Sequence, residues 1–392
     1  MNWSSCSPDI IFLIFKKLDN KSLLTCLAIC QLWRDVAYYI IETKDNMWQS
    51  LAEDTLYNKA ICFKQKSTLS WQEICFNSLL WINLNTIKVK LDKTWVLKRE
   101  NIKAIHMYKD QIIIIYDSIA EYFNVKTSSR VVKKPSLIDS QETEHITISL
   151  MTGNELSISF KHNSTRYSPL CYVFKLIDDR CFVIDSKNNL WRYKCCGRGY
   201  GVRFIMRTYD SPGSILTLNV FDKDVYILTN NGIILNVLEW GLHYCSVGKV
   251  EQPNFYNSPV IVMFLKHSIV YSVPCQSETD TMSVSKIGDT EEVLIECPGM
   301  TCATPHGELL LLGYEDGTVE ICYPQKLLSN TSSNLKFNIK DLVGNTLEKV
   351  AIVALDVYEA EGAQYLFVAT QCDVYKVILH HEKVFFSKRC II

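Results

Sequence analysis

A chain of 392 residues with sixteen cysteines, eight histidines and 42 carboxylates has the raw material for metal binding or catalysis. Spacing decides whether any of it is organised. Cys26 and Cys30 stand one helical turn apart, a separation at which two thiolates can share a metal. No CxxC pair supports them, and both fall within an apolar helical pattern, so buried structural thiols are expected and no metal. His380 and His381 are adjacent with no third ligand near in sequence, which suits surface histidines. The glycine-rich stretch 197–201 has the look of a phosphate loop, but a β-rich run follows it in place of a helix. It is expected to be a linker between β units. Arg198, Arg203 and Arg207 form a basic cluster that would suit a phosphate or acidic segment, and equally an exposed strand face. No GxSxG elbow, HExxH pair or P-loop is present. The expectation is a non-catalytic chain without a cofactor.

Bulk properties narrow the class further. Basic and acidic residues balance at 41 against 42, with no charge block, so neither nucleic acid nor another polyanion is an expected partner. Hydrophobic residues make up 48%, enough for a large core in two or three domains or one large β domain. The start, MNWSSC, lacks the basic region and cleavage site of a secretory signal, and apolar runs such as 309–312 are far short of a membrane span. No membrane partner is expected. The cysteines are then expected to be reduced and buried, the chain cytoplasmic or nuclear, and the sequons at Asn163 and Asn330 without meaning.

The elements that would position a site begin at Ser7. Ser7, Pro8 and Asp9 form a helix start: an N-cap, a residue pre-shaped for the first turn, and a negative charge at the positive end. Six consecutive apolar residues follow, Ile10 to Phe15, so the helix is apolar on nearly every face. Asp19 and Asn20 open a second helix with Leu23, Leu24, Cys26, Leu27 and Ile29, and a third carries Leu32, Trp33, Val36 and Ile40. Three short helices cannot cover this much apolar surface alone. The excess suits a protein interface, or the helical corner of a larger core.

These residues resemble the F-box family. The match runs through Pro8, Asp9, Ile14, Leu18, Leu23, Leu24, Ala28, Ile29, Cys30, Trp33, Arg34 and Ala37 over roughly 40 residues without a gap, with Trp48 where a further tryptophan is common. Ser7 stands in place of the usual Leu, and Ile29 in place of Val. The resemblance implies docking on a Skp1-type adaptor and, through it, a cullin. Pro8, Ile10, Ile14, Leu18, Leu23, Leu24, Ile29, Cys30 and Trp33 are the contact residues it implies.

Residues 46–85 are expected to be helical. Asp45 can cap a helix bearing Trp48 and Leu51, and Ser70 with Glu73 forms a capping box ahead of Ile74, Cys75 and Leu79. The expected role is a spacer packed on its neighbours. From about Thr86 the helical period gives way to short β runs separated by turns. Leucines 309–312 lead into Asp316-Gly317, a strong hairpin signal, and six similar units turn near Asp117, Gly153, Lys187, Asn231, Ser277 and Gln371. The steps are 36, 34, 44, 46, 39 and 55 residues. A period near 40–45 is the signature of a β-propeller with four strands per blade. A third apolar strand precedes several hairpins, at 170–177, 214–220, 259–265 and 349–357. The reading is seven blades, with six or eight also allowed. Either the run 87–91 or the run 384–391 would complete the last blade. This part is similar to WD40-like propellers, although the family's Gly-His and Trp-Asp dipeptides are missing and only 313–319 looks like a typical blade core.

The predicted architecture is thus an α+β multidomain chain: an all-α F-box at 1–45, linker helices at 46–85 and an all-β propeller at 86–392. The resemblance implies the substrate-recognition subunit of a Skp1-cullin-F-box ubiquitin ligase, with an unknown target protein held on the hairpin face near Asp117, Lys187, Asn231, Asp316 and Gln371. The alternatives are a non-ligase scaffold bound to the same adaptor and a propeller enzyme; the missing catalytic motifs argue against the last.

Overall fold

The computed structural model describes residues 7–381 except 28, 44–46, 57–67, 82–83, 97–100, 118, 136, 144–145, 152–154, 161–164, 168–169, 178, 197–198, 207–214, 222–223, 239–243, 250–260, 266–267, 274–280, 287–291, 307–308, 324–333, 345–349 and 361–362. Ala28, Asp45, Asn163, Arg198, Arg207, Asn330 and the turns near Gly153 and Ser277 lie outside the described residues.

Helices come first: α1 Pro8–Phe15, α2 Asn20–Cys26, α3 Gln31–Glu42, α4 Met47–Leu56 and α5 Trp71–Leu80. Their starts follow local chemistry. Ser7 holds the N-cap position of α1 with Pro8 next, but its side chain makes no cap bond; its carbonyl accepts the amides of Ile10 and Ile11 instead. The Asp19 carboxylate accepts the Ser22 amide at 2.7 Å and caps α2. At α5 the capping box is reciprocal: the Ser70 amide donates to Glu73 Oε2 at 2.7 Å, and the Glu73 amide donates to Ser70 Oγ at 3.2 Å.

All five helices share one core. Ile11, Phe15, Leu23, Leu27, Ile40 and Ile41 pack with Leu51 of α4 and with Ile74 and Cys75 of α5. The expected spacer therefore completes the N-terminal core, and the two stretches are one helical module. A second core takes over where α5 ends: Trp81, Leu84 and Ile87 pack with Leu309, Leu311, Ile352 and Leu366.

From Ile87 on, beyond a short helix at Ile339–Val343, the described elements are β strands, in seven antiparallel sheets of four strands each. Six are formed in chain order, spanning 104–135, 137–167, 171–206, 215–249, 261–296 and 300–338 (sheets one to six). Sheet seven takes three strands from the C-terminal side, Ile352–Ala360, Ala363–Thr370 and Asp373–His381. Its fourth is the first strand of the chain, β1 Ile87–Val96, which runs antiparallel from Ile87 opposite His381 to Val96 opposite Asp373. The run 87–91 thus closes the last sheet; 384–391 lies outside the described residues. Sheets one and two share the contact of Met151 with a cluster at Ile113 and Tyr122, sheets two and three pack through Ile148 and Val183, and three and four through Phe182 and Ile227. The first strand of sheet seven lies against those of sheets six and one. This is a β-propeller arrangement.

A sheet pressed on both faces loses the apolar–polar alternation of a half-exposed strand. That explains the runs 112–115 and 309–312, in which every residue is buried. Packing is tight enough to need glycine at one place. A Cβ on Gly313 would lie 2.6 Å from Ile352 Cγ2 and 2.7 Å from Cys302 Sγ. Gly313→Ala is therefore expected to lower stability by about 1–3 kcal/mol, measured as a drop in denaturation midpoint with unchanged slope.

The stretch 197–201 is corrected by the sheets. Cys195 pairs with Tyr200 and Cys196 with Gly199, so 199–201 lies within the fourth strand of sheet three and does not link separate units. An antiparallel meander also sorts its turns: those between first and second strands lie at one end of the sheets, and those between second and third strands at the other.

Candidate functional site

Burial inside the helical module leaves one apolar face uncovered. Ile10 is 52% exposed, Leu13 64%, Ile14 40% and Ile29 56%. Beside them an apolar groove of about 300 Å³ opens between α1, α2 and α3, lined by Ile14, Phe15, Leu18, Cys26, Ile29 and Trp33. Sequence-predicted residues converge here: Ile14, Leu18, Ile29 and Trp33 line the groove, and Pro8 and Ile10 are exposed along α1. Cys30 is half-buried at the N-cap of α3, in extended backbone.

One assignment changes. Leu23 is 2% exposed and belongs to the core, so it supports this face from behind and does not contribute to it. Leu24 is helical, but its side chain is outside what the structure describes. Leu13, the most exposed of the group, was not among the predicted contacts. Tyr39 is 61% exposed and packs tilted against Phe12, with ring centroids 5.8 Å apart, extending the aromatic part of the surface.

The five hairpin residues share the opposite end of the molecule. Asp117, Lys187, Asn231, Asp316 and Gln371 are all exposed in turns between second and third strands. Three have local work. Asp117 pairs with Lys103 at 3.3 Å, Asp316 Oδ1 accepts the Thr318 amide at 2.9 Å, and the Gln371 carbonyl accepts the Ile102 amide at 3.1 Å. The Lys187 turn is built on Asp185, whose carboxylate accepts the amides of Lys187 and Asn189 and the indole N–H of Trp191. Burial pushes the Asp185 carboxyl up, but these bonds outweigh it and hold it below the usual range.

At the near end, α5 and its flanks dock on the turns between first and second strands. Asn77 Nδ2 donates to Glu359 Oε2 at 2.9 Å and to the Ala360 carbonyl at 2.8 Å. Trp81 Nε1 donates to Glu359 Oε1 at 2.8 Å, and His306 Nε2 lies 2.8 Å from the same oxygen. Gln364 Nε2 donates to the Asn77 carbonyl at 3.1 Å, and the Tyr323 hydroxyl to the Trp81 carbonyl at 2.7 Å. Sequence reasoning missed this cluster, whose members are up to 287 residues apart.

A second clamp sits on sheet one. Asp110 accepts from Tyr358 Oη at 2.6 Å and from Lys126 Nζ at 2.9 Å, and Thr68 bonds it from the segment leading into α5. Partial burial raises the Asp110 carboxyl, yet the hydrogen bonds and the lysine charge prevail and the net shift is downward. A carboxyl depressed in the folded state adds stability above its unfolded pKa of about 3.9, and this is lost as pH falls through the lower folded value. Melting scans from pH 6 to pH 3 should therefore show a steeper acid loss for the wild type than for Asp110→Asn.

Among the described residues, the core thiols are shielded by burial. Cys26 lies in the helical core, and burial pushes Cys75, Cys171 and Cys302 up to about 12, where thiolate is scarce near neutral pH. Among the described residues no three His, Cys, Asp or Glu side chains are placed to hold a metal ion. His380 is exposed near the end of its strand, and Arg203 is exposed on the fourth strand of sheet three. No helix is long and apolar enough to cross a membrane among the described residues.

No protein-family model matches the chain, and no curated protein matches it. Among solved structures it is similar to the N-terminal domain of Nup159, with a TM-score of 0.48 and 10% identity over 76% of this chain and 96% of that one. It is also similar to the computationally designed Ika8 protein, with a TM-score of 0.47 and 10% identity over 73% and 98% of the two chains. BamB from Moraxella catarrhalis gives 0.46 and 10% over 76% and 99%.

Proposed function

We propose that this chain is the substrate-recognition subunit of a Skp1-cullin-F-box ubiquitin ligase, with the seven sheets as the blades of one ring. The helical module docks on a Skp1-type adaptor, and the propeller holds a target protein. The observation that carries the reading is the uncovered face of Ile10, Leu13, Ile14 and Ile29 beside a groove lined by Leu18 and Trp33. Contiguous apolar surface of this kind marks a protein interface, and it falls on the stretch that resembles the F-box. The chain makes no bonds itself under this reading. It supplies orientation and effective concentration for a lysine on the target.

The target is placed on the far end, at the turns of Asp117, Lys187, Asn231, Asp316 and Gln371. That end is opposite the helical module, so adaptor and target occupy the chain together without competing. The second reading, a scaffold bound to the adaptor without turnover of a target, uses the same apolar face. Capture assays with purified Skp1 and the full chain test what both share, and adaptor-dependent loss of a captured protein separates them. Deleting residues 1–45 is a poor control, because α4 and α5 complete the same core. The full chain with surface substitutions on α1 is the better comparison. Capture by the wild type and not by those variants supports the reading; equal capture by both overturns it.

A further inference from the structure

We infer that Glu359 is the positioning residue that fixes the helical module against the propeller. Its carboxylate is an acceptor on which three parts of the molecule meet. Asn77 and Trp81 reach it from α5 and the turn after it, and His306 from the end of the first strand of sheet six. Gln364, on the second strand of sheet seven, approaches the same carboxylate at 3.5 Å. Glu359 itself is the next-to-last residue of the first strand of that sheet, and all these side chains are buried.

A carboxylate suits the place because it accepts at both oxygens and donates at neither. An amide at 359 would turn an N–H toward Asn77 Nδ2 or Trp81 Nε1, both of which already donate. The backbone of the same segment is held as well, since the carbonyls of Asn77 and Trp81 accept from Gln364 and Tyr323. The first half of α5 is packed in the helical core through Ile74 and Cys75. The helix therefore runs from the helical core to the edge of the propeller, and the direction in which the module leaves the propeller is set by Asn77 in its second half and Trp81 just after its end. The inference rests on the proposed function only for the consequence that orientation matters to ubiquitin transfer; the geometric part stands without it.

The test uses the full chain with Glu359→Ala and Glu359→Gln, followed by amide hydrogen exchange, small-angle scattering and Skp1 capture. In Glu359→Ala, exchange over 71–81 should rise by roughly tenfold or more, because buried donors lose their acceptor. The strands of sheets three and four should keep wild-type protection, the scattering profile should broaden to larger maximum extent, and Skp1 capture should be unchanged. A residue needed only for general stability would loosen all the sheets together and leave the profile of the folded fraction as it was. Glu359→Gln should show the same local effect more weakly, and it decides the matter if the alanine variant does not fold. Wild-type exchange over 71–81 and a wild-type profile in a folded variant would overturn the inference. Absence of Skp1 capture by the wild type would count against the proposed function instead, leaving the exchange result to stand.

Discussion

Ile10→Asp/Leu13→Asp is expected to lower affinity for a Skp1-type adaptor by roughly 100-fold or more while the chain stays folded. The two residues lie one turn apart on α1 and are 52% and 64% exposed, so their side chains contribute little to the core. Substitutions at such positions usually change stability by within about 0.5 kcal/mol. In a complex the same side chains would be covered, and burying each is worth about 1.5–3 kcal/mol. Aspartate forfeits that gain and adds a carboxylate to be desolvated. The expected result is a right-shifted binding curve with an unchanged melting temperature. A large fall in melting temperature would mean that these residues face inward, and the apolar face would have to be redrawn.

Leu23→Ala should do the opposite. Leu23 is 2% exposed within the core shared by α1 to α5. Truncating a buried leucine removes transfer free energy and leaves a cavity, typically costing 2–5 kcal/mol for roughly the same deletion elsewhere. The propeller has its own clusters and should keep its stability, so loss of the helical module ought to appear as an early, separate transition. Adaptor capture would fall in step with unfolding of the module and recover on cooling below that transition. A double substitution at Leu23 and Leu24 therefore reports on folding, and loss of capture in it would not by itself locate an interface.

Much of the architecture was legible because it is local. The capping box of Ser70 and Glu73 needs only four residues, and it forms with both bonds in place. Asp316-Gly317 turns where it should, with Gly317 at φ +88°. First strands at 171–177, 215–221, 261–265 and 352–360 were visible as apolar runs bounded by turn residues. Fourth strands such as Thr165–Tyr167 and Leu335–Asn338 were not, because they lie at the edges of their sheets and are short. Nothing local distinguished 87–91 from 384–391 as the closing strand, since pairing with Asp373–His381 joins chain segments nearly 300 residues apart.

The candidate site was legible in part for a related reason. A helix that is apolar all round announces an interface without saying which side the core will claim. Ile11 and Phe15 went inward, whereas Ile10, Leu13 and Ile14 were left outside. That division depends on where α3 and α2 pack against α1, which no periodicity within 10–15 encodes. The Glu359 cluster was invisible for the same reason on a larger scale: each member looks ordinary in its own stretch, and only the fold brings them together.

Titration calorimetry of the full chain with purified Skp1, at several temperatures, measures the proposed adaptor docking itself. Saturable one-to-one binding and a negative heat-capacity change, the mark of apolar surface leaving water, are expected, with both lost in Ile10→Asp/Leu13→Asp. No binding by the wild type at concentrations up to roughly 100 μM, where any contact of about 5.5 kcal/mol or more would register, would contradict that docking. The exposed face of α1 would then belong to some other partner.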